Sequence, residues 1–174
     1  MGQLNTIGNG KQDHAASARI DTPRSASEIA NVRLLFTEYA NALNVDLSFQ
    51  GFDAELVDLP GEYGAPRGTL LLATVDGELA GCCAMRPLDT VDYPNACEMK
   101  RLYVRPNYRG MRLGRLLAES ILEAARLAAY DCILLDTLDD MEAARALYQG
   151  LGFVDIPPYY FSPIAGAHYL KAVL

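Results

Sequence analysis

Histidine is scarce in this sequence, and cysteine is thinly spread. The only histidines among the 174 residues are His14 and His168, and the four cysteines stand at positions 82, 83, 97 and 132 without a C-x-x-C motif. A metal cluster would find few ligands here, so we expect no metal. All four cysteines lie in apolar stretches, which favours buried, reduced thiols and a cytoplasmic protein.

The sequence also lacks a basic excess and a long apolar run. Its 15 lysines and arginines are outnumbered by 22 aspartates and glutamates, and the net charge of −7 argues against a nucleic-acid partner. No apolar stretch is long enough to cross a membrane, so we expect no membrane partner. With 51% hydrophobic and 21% charged residues, the composition is that of a soluble globular protein. We predict a flexible tail over residues 1–17 and one domain over residues 18–174.

The most informative stretch, residues 97–126, predicts a strand, a basic turn and an amphipathic helix. Leu102, Tyr103 and Val104 are typical strand residues, and Pro106 ends the ladder pairing. Apolar residues then recur at helical spacing and define one buried face: Leu113, Leu116, Leu117, Ile121, Ala124, Ala125 and Ala128.

The turn between strand and helix, R-G-M-R-L-G-R at residues 109–115, has the chemistry of an anion site. Unpaired N–H groups at the helix start and the positive end of the helix dipole attract negative charge. Gly110 and Gly114 let the backbone approach a bulky anion, and three arginines add positive charge, so a diphosphate is the natural ligand. The alternative is an ordinary strand-to-helix turn whose arginines are solvated.

This turn resembles the coenzyme-A-binding signature of the GNAT superfamily of N-acetyltransferases, [QR]-x-x-G-x-[GA], which follows a strand of the type E-x-x-x-L-Y-V-x-P-x-Y-R-G. The matching residues are Glu98, Leu102, Tyr103, Val104, Pro106, Tyr108, Arg109, Gly110 and Gly114. Downstream, A-R-A-L-Y-Q-G-L-G-F at residues 144–153 resembles the family segment A-x-x-L-Y-x-x-x-G-F. Two ordered motifs at a family-like separation are more specific than either alone.

Two residues depart from the family pattern. Arg112 stands where the first glycine of the signature is usual, and Met141 stands where an asparagine is common. We expect Arg112 to have a helical, negative φ and to reach a phosphate, whereas a positive φ there would strain an arginine. Met141 removes a polar contact, for which Thr137 is a candidate substitute.

The resemblance implies acetyl-CoA as co-substrate. Its pantetheine arm would pair with the strand in the manner of an added strand, and its pyrophosphate would lie on the amides of the turn. The residues implied for this site are Leu102, Tyr103, Val104, Arg109, Gly110, Met111, Arg112, Leu113, Gly114 and Arg115.

The resemblance also implies two catalytic groups. Tyr148 matches the family tyrosine that serves as general acid near the sulfur, because a phenol with a pKa near 10 is protonated at neutral pH. The alternative is a core tyrosine whose hydroxyl is hydrogen-bonded. Glu98 is the candidate general base, acting directly or through water, and the alternative is a carboxylate paired with Lys100 or Arg101.

Aromatic residues in two loops indicate the wall of an acceptor pocket. The alternative for the first loop, residues 45–66, is that its aromatics only pack on the core. The predicted substrate-binding residues are Phe49, Gln50, Phe52, Tyr159 and Tyr160. We expect direct transfer to a primary amine of a small molecule. A protein or peptide N-acetyltransferase and a catalytically silent acyl-CoA-binding domain stay open, as does a homodimer. A dinucleotide-binding oxidoreductase is disfavoured because the turn lacks G-x-G-x-x-G.

The order of the predicted elements indicates an α/β protein. Asp-Gly at residues 76–77 joins a hairpin, residues 132–137 form a buried central strand, and Asp139 with Glu142 has the spacing of a capping box. With the resemblance, we expect a GNAT-like domain. Its mixed central sheet would have about six to seven strands, about four flanking helices and a splay between the two central strands.

Overall fold

The computed structural model describes residues 17–174, which form one seven-stranded sheet with four α-helices. The elements are β1 (Ala18–Asp21), α1 (Ala26–Leu43), α2 (Phe52–Asp58), β2 (Thr69–Val75), β3 (Glu78–Leu88), β4 (Ala96–Val104), α3 (Leu113–Leu127), β5 (Cys132–Leu138), α4 (Glu142–Gly150), β6 (Val154–Ile156) and β7 (Ala167–Val173). The predicted α/β class, strand number and helix number are confirmed. The predicted tail, residues 1–17, lies outside the described residues except for Ser17.

The sheet is mixed, with the strand order β1-β2-β3-β4-β5-β7-β6. All neighbouring pairs are antiparallel except β4 and β5, which run parallel. The predicted hairpin joins β2 to β3. Asp76 and Gly77 both have positive φ there, 50° and 84°, as a two-residue hairpin turn requires.

The two central strands separate soon after they meet. β4 and β5 pair only at Ala96–Cys132, Cys97–Ile133 and Glu98–Leu134, although both strands continue beyond these pairs. On its other side, β4 stays paired with β3 up to Val104, with one irregularity opposite Cys83. The predicted splay is therefore confirmed, and the second half of β4 has one free edge.

The sheet separates two hydrophobic cores. On one face, Leu117 and Ile121 of α3 pack on Ile133 and Leu135 of β5. On the other face, residues of α1 and α2 pack on β2 and β3. Adjacent Cys82 and Cys83 lie in different cores, as the alternation of a strand requires. All four cysteines are free and buried, and burial raises the pKa of every thiol.

The predicted capping box at the start of α4 is wrong. The residue before α4 is Met141, and no side chain caps the helix. Asp139 instead contacts the imidazole of His168 on β7, and its backbone N–H donates to the carbonyl of Gly166 at 2.9 Å. The Asp139 carboxylate, which its spacing predicted to cap α4, therefore contacts a histidine from a strand that is distant in the sequence.

Candidate active site

A groove of about 680 Å³ runs from the free edge of β4 to the beginnings of α3 and α4. Its lining includes eight of the ten residues predicted to bind the co-substrate: Leu102, Tyr103, Val104, Arg109, Gly110, Arg112, Leu113 and Gly114. The other two, Met111 and Arg115, do not line it. The Arg115 side chain turns along α3 and pairs with Glu119 at 3.1 Å. The opposite wall comes from α1 and the first turns of α4.

The beginning of α3 presents unpaired donors to this groove. No side chain caps the helix, and within residues 17–174 the backbone N–H groups of Leu113, Gly114 and Arg115 have no hydrogen-bond acceptor. The first backbone bond of the helix is that from Leu116 to the carbonyl of Arg112, at 3.1 Å. Orphan amides at the positive end of a helix of 15 residues fit a phosphate group.

The expectation for Arg112 is wrong. Arg112 has φ 62° and ψ 14°, the left-handed conformation, because it is the residue that precedes the helix and not a member of it. Negative φ is a property of residues within a helix, and the N-cap residue lies outside that rule. This geometry explains why a glycine is usual at this position. The Arg112 side chain nevertheless lines the groove.

We therefore expect the Arg112→Gly variant to be more stable than the wild type. Relief of left-handed strain contributes about 1–2 kcal/mol, and the greater freedom of glycine in the unfolded chain offsets about 0.4–1 kcal/mol of that gain. Urea unfolding followed by far-ultraviolet circular dichroism would measure the rise. Arg112→Ala is the matched control, since it removes the same side chain and keeps the strain. If the alanine and glycine variants were stabilised equally, relief of left-handed backbone strain at residue 112 would not be the cause.

A smaller pocket of about 40 Å³ lies where β4 and β5 separate. Tyr39, Leu43, Leu102 and Met141 line both this pocket and the large groove, so the two spaces share a wall. Polar side chains also reach the pocket, from the loop after α1, from β4, from β5 and from α4: Gln50, Lys100, Arg101, Asp136, Thr137 and Tyr148. The separation of two central strands has thus opened a polar pocket inside the sheet.

Tyr148 lies in this pocket and is almost fully buried, with 6% of its surface exposed. Its ring packs on Phe153 at 5.6 Å between centroids. No hydrogen bond is found for its hydroxyl among residues 17–174, and none of their fully buried polar side-chain atoms lacks a partner, so the hydroxyl oxygen is not fully buried. Burial raises the pKa of this phenol well above its ordinary value. It is therefore a proton donor at neutral pH.

Glu98 does not reach the pocket. Its carboxylate is 1% exposed, accepts hydrogen bonds from Arg86 Nε at 2.9 Å and the Tyr159 hydroxyl at 2.8 Å, and does not line either space. Lys100, one of the two expected partners, is 3.8 Å away, and Arg101 pairs elsewhere. This environment favours the alternative interpretation, in which Glu98 is a structural carboxylate.

The predicted acceptor residues separate into two groups. Gln50 lines the pocket, and its amide donates to the Tyr160 hydroxyl at 3.4 Å. Phe52 is buried in the core that contains α1 and α2, and the Tyr159 hydroxyl donates its hydrogen bond to Glu98. Phe49 is 37% exposed and does not line the pocket. Of the five residues, only Gln50 and, through it, Tyr160 lie close to this pocket.

Lys100 and Asp136 are charged residues of the pocket that the sequence reasoning did not assign to the site. Lys100 Nζ lies 3.4 Å from Asp136 Oδ1, and the other oxygen of Asp136 accepts from the Tyr160 hydroxyl at 2.9 Å. The available signal was the position of Asp136, a carboxylate that directly follows the apolar run of a buried strand. Polar residues at the carboxyl end of such strands face the ligand side of α/β sheets.

Comparison with known proteins agrees with this geometry. Residues 35–153 match the model of the acetyltransferase (GNAT) family. The chain belongs to this family. The acetyltransferase is 37% identical over 153 residues to an uncharacterized N-acetyltransferase of Schizosaccharomyces pombe, covering 87% of this chain and 92% of that protein. It is also 34% identical over 88 residues to N-acetylaspartate synthetase of Xenopus tropicalis, covering 51% of this chain and 31% of that protein.

The fold of the acetyltransferase is likewise shared. It superposes on the PaiA N-acetyltransferase of Thermoplasma acidophilum in complex with coenzyme A with a TM-score of 0.68 and 14% identity, covering 91% of this chain and 99% of that one. Among residues 17–174, no helix is both long and apolar enough to span a membrane, and no three metal-binding side chains come together. Its family membership makes this chain an acetyltransferase.

Proposed function

We propose that this acetyltransferase moves the acetyl group of acetyl-CoA directly to a primary amine of a small molecule. The observation that carries the proposal is the shared wall between the large groove and the small polar pocket, with the Tyr148 phenol in the pocket.

The large groove fits the co-substrate in two ways. The free edge of β4 at Leu102 to Val104 offers backbone groups for the amides of a pantetheine arm. The orphan amides of Leu113 and Gly114 offer donors to a pyrophosphate, and Arg109 and Arg112 add positive charge to the groove. Acetyl-CoA supplies the activated acetyl group as a thioester.

Two side chains of the pocket handle protons in this proposal. The reaction joins the amine nitrogen to the acetyl carbon, breaks the carbon–sulfur bond and releases one proton overall from an ammonium substrate. Tyr148 donates a proton to the departing thiolate, and its hydroxyl is later reprotonated from solvent. An ammonium loses two protons as it becomes an amide nitrogen. Asp136, directly or through a water, takes the proton that leaves before attack and returns it to solvent, and the proton that leaves the nitrogen after attack also passes to solvent. Asp136 replaces Glu98 in this role because it faces the pocket and Glu98 does not.

The size of the pocket supports a small acceptor. About 40 Å³ is room for roughly three water-sized groups, since one needs about 10–15 Å³. The pocket is bounded by Val45 and Leu47 after α1 and by Ile164 before β7, so loops from both halves of the chain enclose it. The relationship to N-acetylaspartate synthetase, named for an acetylated amino acid, also favours a small molecule over a protein.

An acetyl-transfer assay with thiol detection tests the proposal. Purified protein would be incubated with acetyl-CoA and a panel of small amines, with N-terminal and lysine-containing peptides beside them. We expect turnover with at least one small amine and none above background with the peptides. Turnover on peptides alone would reject the small-molecule acceptor. Acetyl-CoA binding without turnover on any amine would favour the silent acyl-CoA-binding domain.

A further inference from the structure

We propose that the acceptor is a zwitterion, a small amino acid whose ammonium binds Asp136 and whose carboxylate binds Lys100. This inference rests on the proposed function and narrows its substrate class. It comes from the charged groups around the splay, where the pair between Lys100 and Asp136 is longer than the arginine–glutamate pairs.

Most charges on this side of the sheet have close partners. Arg101 holds Glu55 through two hydrogen bonds, at 3.0 and 2.8 Å. Burial acts to raise the pKa of Glu55, but the adjacent guanidinium outweighs burial and leaves that pKa below its ordinary value. Arg86 holds Glu98 at 2.9 Å. These distances are those of charge-assisted hydrogen bonds, and the pairs fix the positions of β3, β4 and α2.

The pair between Lys100 and Asp136 is looser. Its atoms are 3.4 Å apart, well beyond the usual 2.7–2.9 Å for such a bond. Lys100 Nζ has further partners in Gln50 Oε1 at 3.2 Å and Glu98 at 3.8 Å, neither of them a close charged contact. Both residues line the pocket, and the Asp136 side chain is 18% exposed. A cation and an anion therefore face the same small space with their mutual bond only weakly formed.

An amino acid matches this arrangement in charge and in size. Its ammonium and carboxylate are held on one carbon, so it can lie beside the pair and replace one loose ion pair by two close ones. A simple amine satisfies Asp136 but brings its own cation next to the Lys100 ammonium, where the small distance makes repulsion strong. A monocarboxylate satisfies Lys100 but brings its own negative charge next to the Asp136 carboxylate. The pair thus selects molecules that carry both charges.

The same placement puts the amine where transfer is proposed. Asp136 lies in the pocket with Tyr148 and with Leu102, and Leu102 belongs to the wall shared with the groove. The pocket has room for only about three water-sized groups, so it favours the smallest amino acids.

Matched acceptors test the inference on the unmodified protein. For each amino acid, turnover would be compared with that of its carboxamide and of the amine that lacks the carboxylate, for example alanine, alaninamide and ethylamine. We expect kcat/KM for the best amino acid to exceed both analogues by about 10-fold to 100-fold, the range of a charged hydrogen bond. Calorimetric titration with the best amino acid and its carboxamide, in the presence of coenzyme A, should show the same preference in Kd.

Three variants, at Lys100 and Asp136, assign the charges. Lys100→Met should erase the preference for the amino acid over its carboxamide, and Lys100→Arg should restore part of it. Asp136→Asn should weaken binding of both. Lys171→Met is the matched control, because Lys171 lies against Tyr93 and outside the pocket, and it should leave the preference unchanged.

The outcomes separate this inference from the proposed function. Turnover of simple amines or carboxamides that equals or exceeds that of every amino acid overturns the zwitterion and leaves the small-molecule acetyltransferase standing. Retention of the preference in Lys100→Met, with the fold intact, also overturns it. If acetyl-CoA binds and no amine of either kind is acetylated, both proposals fail. The comparison on unmodified protein needs no variant to fold.

Discussion

Gly114→Trp should abolish acetyl-CoA binding, with a loss in affinity of at least about 100-fold, or about 2.7 kcal/mol. A Cβ atom placed on Gly114 would lie 3.8 Å from Leu147 and 3.9 Å from Val104, both of which line the groove. An indole attached there must occupy the space between β4 and α4, next to the orphan amides of α3. Calorimetric titration of wild type and variant with acetyl-CoA measures the effect.

Gly114→Ala is the matched control for this substitution. A methyl group at these distances makes ordinary van der Waals contacts, so we expect the alanine variant to keep acetyl-CoA affinity within a few-fold. Far-ultraviolet circular dichroism would establish that both variants fold. A folded tryptophan variant with wild-type affinity would show that the co-substrate does not use this groove.

Tyr148→Phe should lower kcat by about 100-fold to 10,000-fold, the usual contribution of a general acid. The ring keeps its packing on Phe153, and the lost hydroxyl has no hydrogen bond to leave unpaired among residues 17–174. We therefore expect stability and acetyl-CoA affinity to change little while chemistry slows. Steady-state kinetics with saturating acetyl-CoA, together with calorimetry, would separate the two effects.

The pH profile adds a second test of Tyr148. A general acid loses activity as pH rises through its pKa, and burial raises the pKa of this phenol well above 10. Deprotonation of Tyr148 should therefore cause no fall in kcat below about pH 10. Tyr130→Phe is the control variant. The Tyr130 hydroxyl donates to the Arg67 carbonyl at 2.8 Å, and Tyr130 lines neither the groove nor the pocket. Equal losses in kcat for the two variants would contradict an acid role.

Eight of the ten residues predicted for the co-substrate line one groove, and they come together because this part of the chain is local. The strand, turn and helix of residues 97–126 follow one another in the chain. The helical spacing of apolar residues and the two glycines of the turn therefore indicate where the helix begins and where its unpaired amides lie. The Asp76-Gly77 turn and the buried central strand are local in the same sense, and both are confirmed.

The failures have a common physical origin in contacts between distant segments. Asp139 pairs with His168 from β7, which no spacing near α4 reveals. Arg112 was expected to share the negative φ of residues at the beginning of a helix, but it is the residue before α3. Lys100 and Asp136 come together only because β4 and β5 are parallel and then separate, so their meeting depends on the register of strands that are more than 30 residues apart.

The wall shared by groove and pocket also bears on the order of events in solution. Leu102 and Met141 face both spaces, so whatever occupies the groove completes one side of the pocket. An amine that binds before the co-substrate enters a pocket that lacks one side, whereas an amine that binds after it enters a complete pocket. Initial velocities measured at several fixed concentrations of each substrate should then give intersecting double-reciprocal lines, and a dead-end amine analogue should bind more tightly to protein that already holds coenzyme A.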